Sequence, residues 1–224
     1  MTVAAVILAA RPENALRDVE GVPNARRLAD VAWAGGALPI VVVSFDPDGE
    51  VATALAGSPA VLASPAAESG GPVGQICRGI DVARAEVDGT DAALVWPARM
   101  GWVDAETVTS LIEAHGADRA TVLRPSFEGE AGWPALVPVA HLAALRRLDA
   151  ALPPGPLLDA LAAVVGGRLL ELGDPGTTHD LDMARDQLPA FEGPPEPSAE
   201  HHHEWGSPAA AVPDEPPELP RTAG

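Results

Sequence analysis

The sequence predicts an α/β domain: a mostly parallel, mixed sheet with helices on both faces. Three observations predict it. Several short runs are apolar throughout rather than alternating, as in strands buried on both faces. Between them lie stretches whose apolar residues recur at helical spacing. Glycine and proline fall at the joints, where helices begin and end. Repeated strand–helix–strand units of this kind form parallel sheets with layered helices.

In order along the chain, residues 3–9 are a continuous apolar run and the first strand. A helix is expected over residues 23–34, stopped by Gly35 and Gly36. Residues 39–43 form a second buried strand, followed by a short helix near 49–56 and a short strand at 61–63. The next helix carries Val73, Ile76, Cys77, Ile80 and Arg84 on one face. Residues 92–96 are the next strand. Asp104 reads as the N-cap of a helix with Val108, Leu111, Ile112 and His115 on one stripe. Strands follow at 120–123 and 133–137, with Gly129 and Gly132 marking a hairpin-like turn between them. Helices at 139–148 and 156–165, a strand at 168–172 and a helix at 182–188 complete the fold.

Composition narrows the function. All fourteen cations are arginine and lysine is absent, so chemistry that needs this chain's own lysine is excluded. A net charge of −18 opposes binding to phosphate backbones and argues against a nucleic-acid partner. No run approaches the roughly 20 apolar residues of a membrane span. The apolar start has no basic residue before it, which favours a buried strand over a signal peptide. A single cysteine, Cys77, fits a reducing cytoplasm and reads as core. His115 and His141 read as structural. From residue 192 onward come eight prolines, seven acids and one base. Residues 1–191 therefore read as the folded domain and 192–224 as a disordered acidic tail. The tail is a solubilising extension or a possible arm for a protein partner. Its three adjacent histidines, His201, His202 and His203, read as a weak, unselective metal binder rather than a site.

Ligands of such sheets bind at the carboxyl ends of the strands. The loop after Ala9 begins Ala10-Arg11-Pro12 and has no glycine before Gly21. Arg11 is the one group there suited to a phosphate, though it also reads as a plain surface arginine. The loop after Trp96 is Pro97-Ala98-Arg99-Met100-Gly101-Trp102-Val103-Asp104, whose only acid is the helix cap. Magnesium sites need hard oxygen ligands, and a guanidinium offers none. In the loop after Leu172, Asp180 and Asp182 are metal candidates with His179. The plainer reading has Asp182 capping the last helix and Asp180 solvated.

Taken together, these pieces resemble the MobA/MocA-like nucleotidyltransferases, which attach CMP or GMP to molybdopterin. The resemblance covers residues 3–191. Val6-Ile7-Leu8-Ala9-Ala10 is similar to the opening strand and Leu-Ala-Ala-Gly loop of that family. Ser64-Pro65 through Gly70-Gly71, then Arg78-Gly79-Ile80, resembles its nucleotide side. Gly132-Trp133-Pro134 is similar to its Gly-His-Pro turn on the acceptor side, and Asp180-Leu181-Asp182 to its closing Asp-Ile-Asp motif. The resemblance implies a Rossmann-like, GT-A-like nucleotidyltransferase fold. It implies nucleotide contacts from Ala9, Ala10, Arg11, Ser69, Gly70 and Arg99, and acceptor contacts from Gly132, Trp133 and Pro134. It implies a metal on Asp180 and Asp182, with Mg2+ and CTP or GTP as ligands if the family activity is retained.

The departures fall on the active site. The glycines and lysine of the first loop are missing, Arg99 stands at the place of the family's metal-binding aspartate, and Trp133 replaces the histidine. The expectation is a non-catalytic relative that binds a nucleotide, a pterin or a protein. The alternatives are an active cytidylyl- or guanylyltransferase using Asp180 and Asp182, and a structural subunit of a larger complex. Arg99 is expected either to pair with a phosphate or to form a salt bridge with Asp180 or Asp182.

Overall fold

The structure, a computed structural model, describes residues 1–9 and 11–193. The expected candidate Ala10, the histidines at 201–203 and nearly all of the acidic tail therefore lie outside the described residues.

The elements follow in chain order. β1 (Thr2–Ala9) leads into α1 (Pro12–Leu16), a small hairpin of β2 (Asp18–Val19) and β3 (Val22–Pro23), and α2 (Asn24–Ala34). β4 (Ile40–Ser44), α3 (Glu50–Ala54) and β5 (Ala60–Ala63) come next. A 3-10 turn at Glu68–Gly70 opens α4 (Gly71–Glu86), which leads to β6 (Thr90–Pro97) and α5 (Ala105–Ala117). β7 (Val122–Phe127), β8 (Glu130–Ala131), β9 (Ala135–Pro138), α6 (Leu142–Leu145), α7 (Pro154–Val165) and β10 (Gly167–Glu171) complete the set.

The main sheet runs β10-β7-β9-β6-β1-β4-β5, with β8 paired to β7. All ladders in this path are parallel except those of β9, which is antiparallel to β6 and β7. The expected mixed, mostly parallel sheet is what forms, and it follows from burial. Successive residues of β1 point to opposite faces: Val3, Ala5, Ile7 and Ala9 enter one core layer, Ala4 and Val6 the other. Ile40 and Val42 of β4 alternate with Val41 and Val43 in the same way, as do Ala92, Leu94 and Trp96 of β6 with Ala93 and Val95. A strand with both faces covered must be apolar at every position, which is why these runs do not alternate.

The first layer is closed by α2, α3 and α5 through Leu28, Val51, Val108 and Leu111. The second is closed by α4, α6 and α7 through Ile76, Ile80, Leu145 and Leu157. α4 lies very close to β1: a Cβ on Gly79 would stand 2.2 Å from Val6 Cγ1. No helix among the described residues is long and apolar enough to cross a membrane.

Several boundaries differ from the sequence reading. α1 forms where the sequence reads as open loop, because five residues carry too little periodicity to show. The expected helix over 182–188 is only a 3-10 turn at Arg185–Gln187, since its residues offer no apolar stripe to bury. The helix expected over 139–148 shortens to a 3-10 turn and the four residues of α6, anchored by buried Leu142 and Leu145. β7 runs four residues past its expected end, because the buried polar groups of Arg124 and Ser126 find partners in Asp159 and Glu171. Asp104 caps α5 as expected, its side chain accepting from Glu106 N at 2.9 Å. Cys77 lies in the core, where burial pushes its thiol pKa up.

Candidate functional site

The carboxyl ends of β1, β4, β5, β6, β7 and β10 lie along one edge of the sheet, and β9 begins there. Several clefts open among the loops of that edge, and two of them hold the expected nucleotide and acceptor residues. The larger of these two, about 720 Å3, is lined by Arg11, Phe45, Ser64, Pro65, Ala66, Ala67, Glu68 and Gln75. The smaller, about 320 Å3, lies between Arg99 and Met100, the turn at Glu130–Trp133 and the segment Thr177–Asp180.

The floor between them is held by hydrogen bonds. Asn24 is fully buried at the start of α2, and its Nδ2 donates to the Asn14 carbonyl at 3.0 Å and the Ala98 carbonyl at 2.6 Å. It thus ties α1, which follows β1, to the loop after β6. Trp96, buried at the end of β6, donates from Nε1 to the Met100 carbonyl at 2.9 Å and holds that loop in a tight turn. Gly101 is packed against Leu181, where a Cβ would stand 2.7 Å from Leu181 Cδ2.

The segment after β10 is anchored by Asp174. Its carboxylate accepts from Asp104 N at 3.0 Å, the Thr107 hydroxyl at 2.7 Å and Gly176 N at 2.8 Å. Burial pushes the Asp174 pKa up, against those three hydrogen bonds. From this anchor the chain passes Thr177, whose carbonyl accepts from Trp133 N at 2.9 Å, and reaches Asp180.

Arg99 donates from Nη2 to Asp180 Oδ2. Asp180's other oxygen accepts from Asp182 N at 2.9 Å, and Leu181 N donates to the Arg99 carbonyl at 2.9 Å. The Arg99 side chain is 66% exposed and that of Asp180 only 18%. Asp182 is 80% exposed and pairs with Arg17 Nη1 at 3.0 Å, while Arg17 Nη2 donates to the Leu181 carbonyl. Each candidate metal carboxylate therefore faces a guanidinium. The plainer expectation for this segment is corrected on both counts. Asp180 is half-buried and paired rather than solvated, and Asp182 caps no helix, because the turn beyond it starts after Ala184. His179 Nδ1 lies 2.9 Å from the Pro175 carbonyl, which orients the ring.

The expected nucleotide residues divide between the clefts. Arg11 lines the larger one, with Ser69 and Gly70 in the turn just beyond Glu68, which also lines it. Ala9 ends β1, buried and opposite Ser44 of β4. Arg99 instead lines the smaller cleft with Trp133 and Asp180. Gly132 and Pro134 flank Trp133 in the turn entering β9, and Gly132 packs on Thr177, where a Cβ would stand 2.6 Å from the carbonyl oxygen.

Sequence reasoning missed Arg124, on β7 under this turn. It is buried and donates from Nε to the Gly132 carbonyl at 3.1 Å, from Nη2 to the Ala131 carbonyl at 3.2 Å and from Nη1 to Asp159 at 2.8 Å. Its guanidinium carbon also lies 5.3 Å from the Trp133 ring centroid. Arg17 was likewise missed, since its partner lies 165 residues away. The one available signal was an arginine inside a run of otherwise buried strand positions at Arg124.

The mixed, mostly parallel sheet with clefts along its carboxyl edge defines an α/β domain with the fold of the nucleotidyltransferases. The sequence matches the MobA-like NTP transferase domain over residues 10–164, and the chain belongs to that family. Solved structures share the fold at low identity. Rv0371c from Mycobacterium tuberculosis is 15% identical, with a TM-score of 0.62 over 77% of this chain and 89% of that one. Another structure of that protein is a complex with manganese. The 2-C-methyl-D-erythritol 4-phosphate cytidylyltransferase from Thermus thermophilus is 19% identical, with a TM-score of 0.59 over 83% of this chain and 95% of that one. A CMP:2-keto-3-deoxy-manno-octonic acid synthetase complexed with CTP is 16% identical, with a TM-score of 0.54 over 77% and 90%. No curated protein matches the sequence.

Proposed function

We propose that this chain binds a nucleotide in the larger cleft without metal-dependent nucleotidyl transfer. The observation that carries the reading is the Arg99–Asp180 ion pair. A magnesium ion takes oxygen ligands in near-octahedral geometry. Here the central loop offers a guanidinium, which has five donors and no lone pair for a cation. Asp180 is already neutralised by that guanidinium, and Asp182 is turned to Arg17. The donor set does not suit a divalent cation, and no step of this reading runs through one.

Nucleotidyl transfer depends chiefly on positioning the phosphates and neutralising the charge that develops on them. A short first loop with Arg11 as its only cation offers little of either. What this edge of the sheet keeps is the wall of the larger cleft, ordered by Gln75, whose side chain bonds both the N–H and the carbonyl of Ala66 at 2.9 and 3.0 Å. On this reading Arg99 serves as a fixed positive charge in place of a metal. It holds the closing segment in position and has unpaired donors left for an anionic group.

The test is a transfer assay with radiolabelled CTP or GTP, magnesium and molybdopterin. The expected result is no labelled product above a protein-free control. Turnover that disappears in Asp180→Ala would refute the reading and identify an active transferase.

A further inference from the structure

The larger cleft has one wall that phosphate recognition does not explain. Phe45 follows β4 directly, lines the cleft and is 58% exposed. A lone apolar side chain on a convex surface is ordinary, but this ring faces a concavity large enough for a small-molecule ligand. Its backbone is held on both sides. Ser44 is paired with Ala9 in the sheet, and its hydroxyl donates to the Phe45 carbonyl at 3.2 Å. Asp46 accepts from Val51 N and Ala52 N, both at 2.9 Å, and so ties the loop to α3. The backbone that carries the ring is therefore fixed at the cleft. On the other side, Gln75 orders Ala66, and Arg78 Nε donates to the Ser64 carbonyl at 3.2 Å, which sets the Ser64–Ala67 wall.

We propose that Phe45 is a stacking platform for a planar heteroaromatic ring, and that this contact sets the cleft's preference for a nucleobase over other parts of a nucleotide. The inference rests on the reading that this cleft binds a nucleotide. Base–aromatic stacking tolerates any base, since each has a π-face. The platform therefore selects flat rings without by itself choosing cytosine or guanine. It also moves affinity from the phosphates, whose partners are depleted here, to the base.

The experiment titrates cytidine, guanosine, CTP and ribose 5-phosphate against the full chain, Phe45→Ala and Phe45→Trp. Because Phe45 is exposed, both variants should fold, as circular dichroism and the unfolding midpoint will report. Phe45→Ala should weaken the two nucleosides and CTP by about 5- to 150-fold and leave ribose 5-phosphate unchanged. Phe45→Trp should keep the affinity, and its added emission should be quenched as nucleoside saturates. If Phe45→Ala binds cytidine and guanosine as tightly as the parent chain, the platform is refuted while nucleotide binding stands. If the parent chain binds CTP and neither nucleoside, the platform is also refuted. If the parent chain binds none of the four probes, the nucleotide reading fails and the platform fails with it.

Discussion

Replacing Asp174 by alanine should destabilise the domain by about 2–4 kcal/mol. Asp174 is buried and accepts three hydrogen bonds, from Asp104 N, the Thr107 hydroxyl and Gly176 N. Thr107 and Gly176 are buried with it, so the substitution leaves two buried donors without acceptors. Each such orphan costs about 1–3 kcal/mol. Part of that loss is offset, because the parent chain also carries the penalty of a buried carboxylate, visible in the raised pKa. Asp174→Asn keeps the shape and one acceptor and should lose less than the alanine variant. Urea unfolding measures both. With a slope of about 2 kcal/mol/M, the alanine midpoint should fall by roughly 1–2 M at unchanged slope. A loss below about 1 kcal/mol would refute the idea that Asp174 anchors the segment carrying Asp180.

Other predictions follow from single contacts. His115 is buried, both ring nitrogens lack a hydrogen-bond partner among the described residues, and burial lowers its pKa against the pull of Asp91 at 3.7 Å. The unfolded chain takes up the proton near pH 6.5 and the folded chain only below that, so stability should fall as pH drops beneath about 6.5. His115→Leu should remove that part of the slope, as unfolding midpoints between pH 7.5 and 5 will show. Arg124→Met should cost about 3 kcal/mol, since two carbonyls and Asp159 lose their donor. It should also shift tryptophan emission as Trp133 loses its guanidinium partner.

The sheet was legible because burial on both faces leaves a one-dimensional trace: residues 3–9 of β1, 40–43 of β4 and 92–96 of β6 are apolar at every position, which no amphipathic helix or one-sided strand would be. The cap at Asp104 was legible for a similar reason, as a local contact with a residue two positions on. The corners of the site were legible only in part. The Arg99–Asp180 pair, 81 positions apart, is one of the two partners expected for Arg99, but Arg17–Asp182 and Arg124–Asp159 join residues 165 and 35 positions apart and left no such trace. No local propensity distinguishes such an arginine from a solvated one. The fate of Asp182 was misread because a carboxylate before a polar stretch looks like a helix cap whether or not a helix forms. α1 escaped because a five-residue helix is stabilised by its packing against α2 and not by its own sequence.

The central claim is that a guanidinium has taken the place of a metal ion without abolishing the binding cleft. Isothermal titration of CTP and of GTP, each with magnesium and with EDTA, tests it most directly. The account predicts binding of at least one nucleotide with the same affinity in both buffers. Binding that appears only when magnesium is present would contradict it.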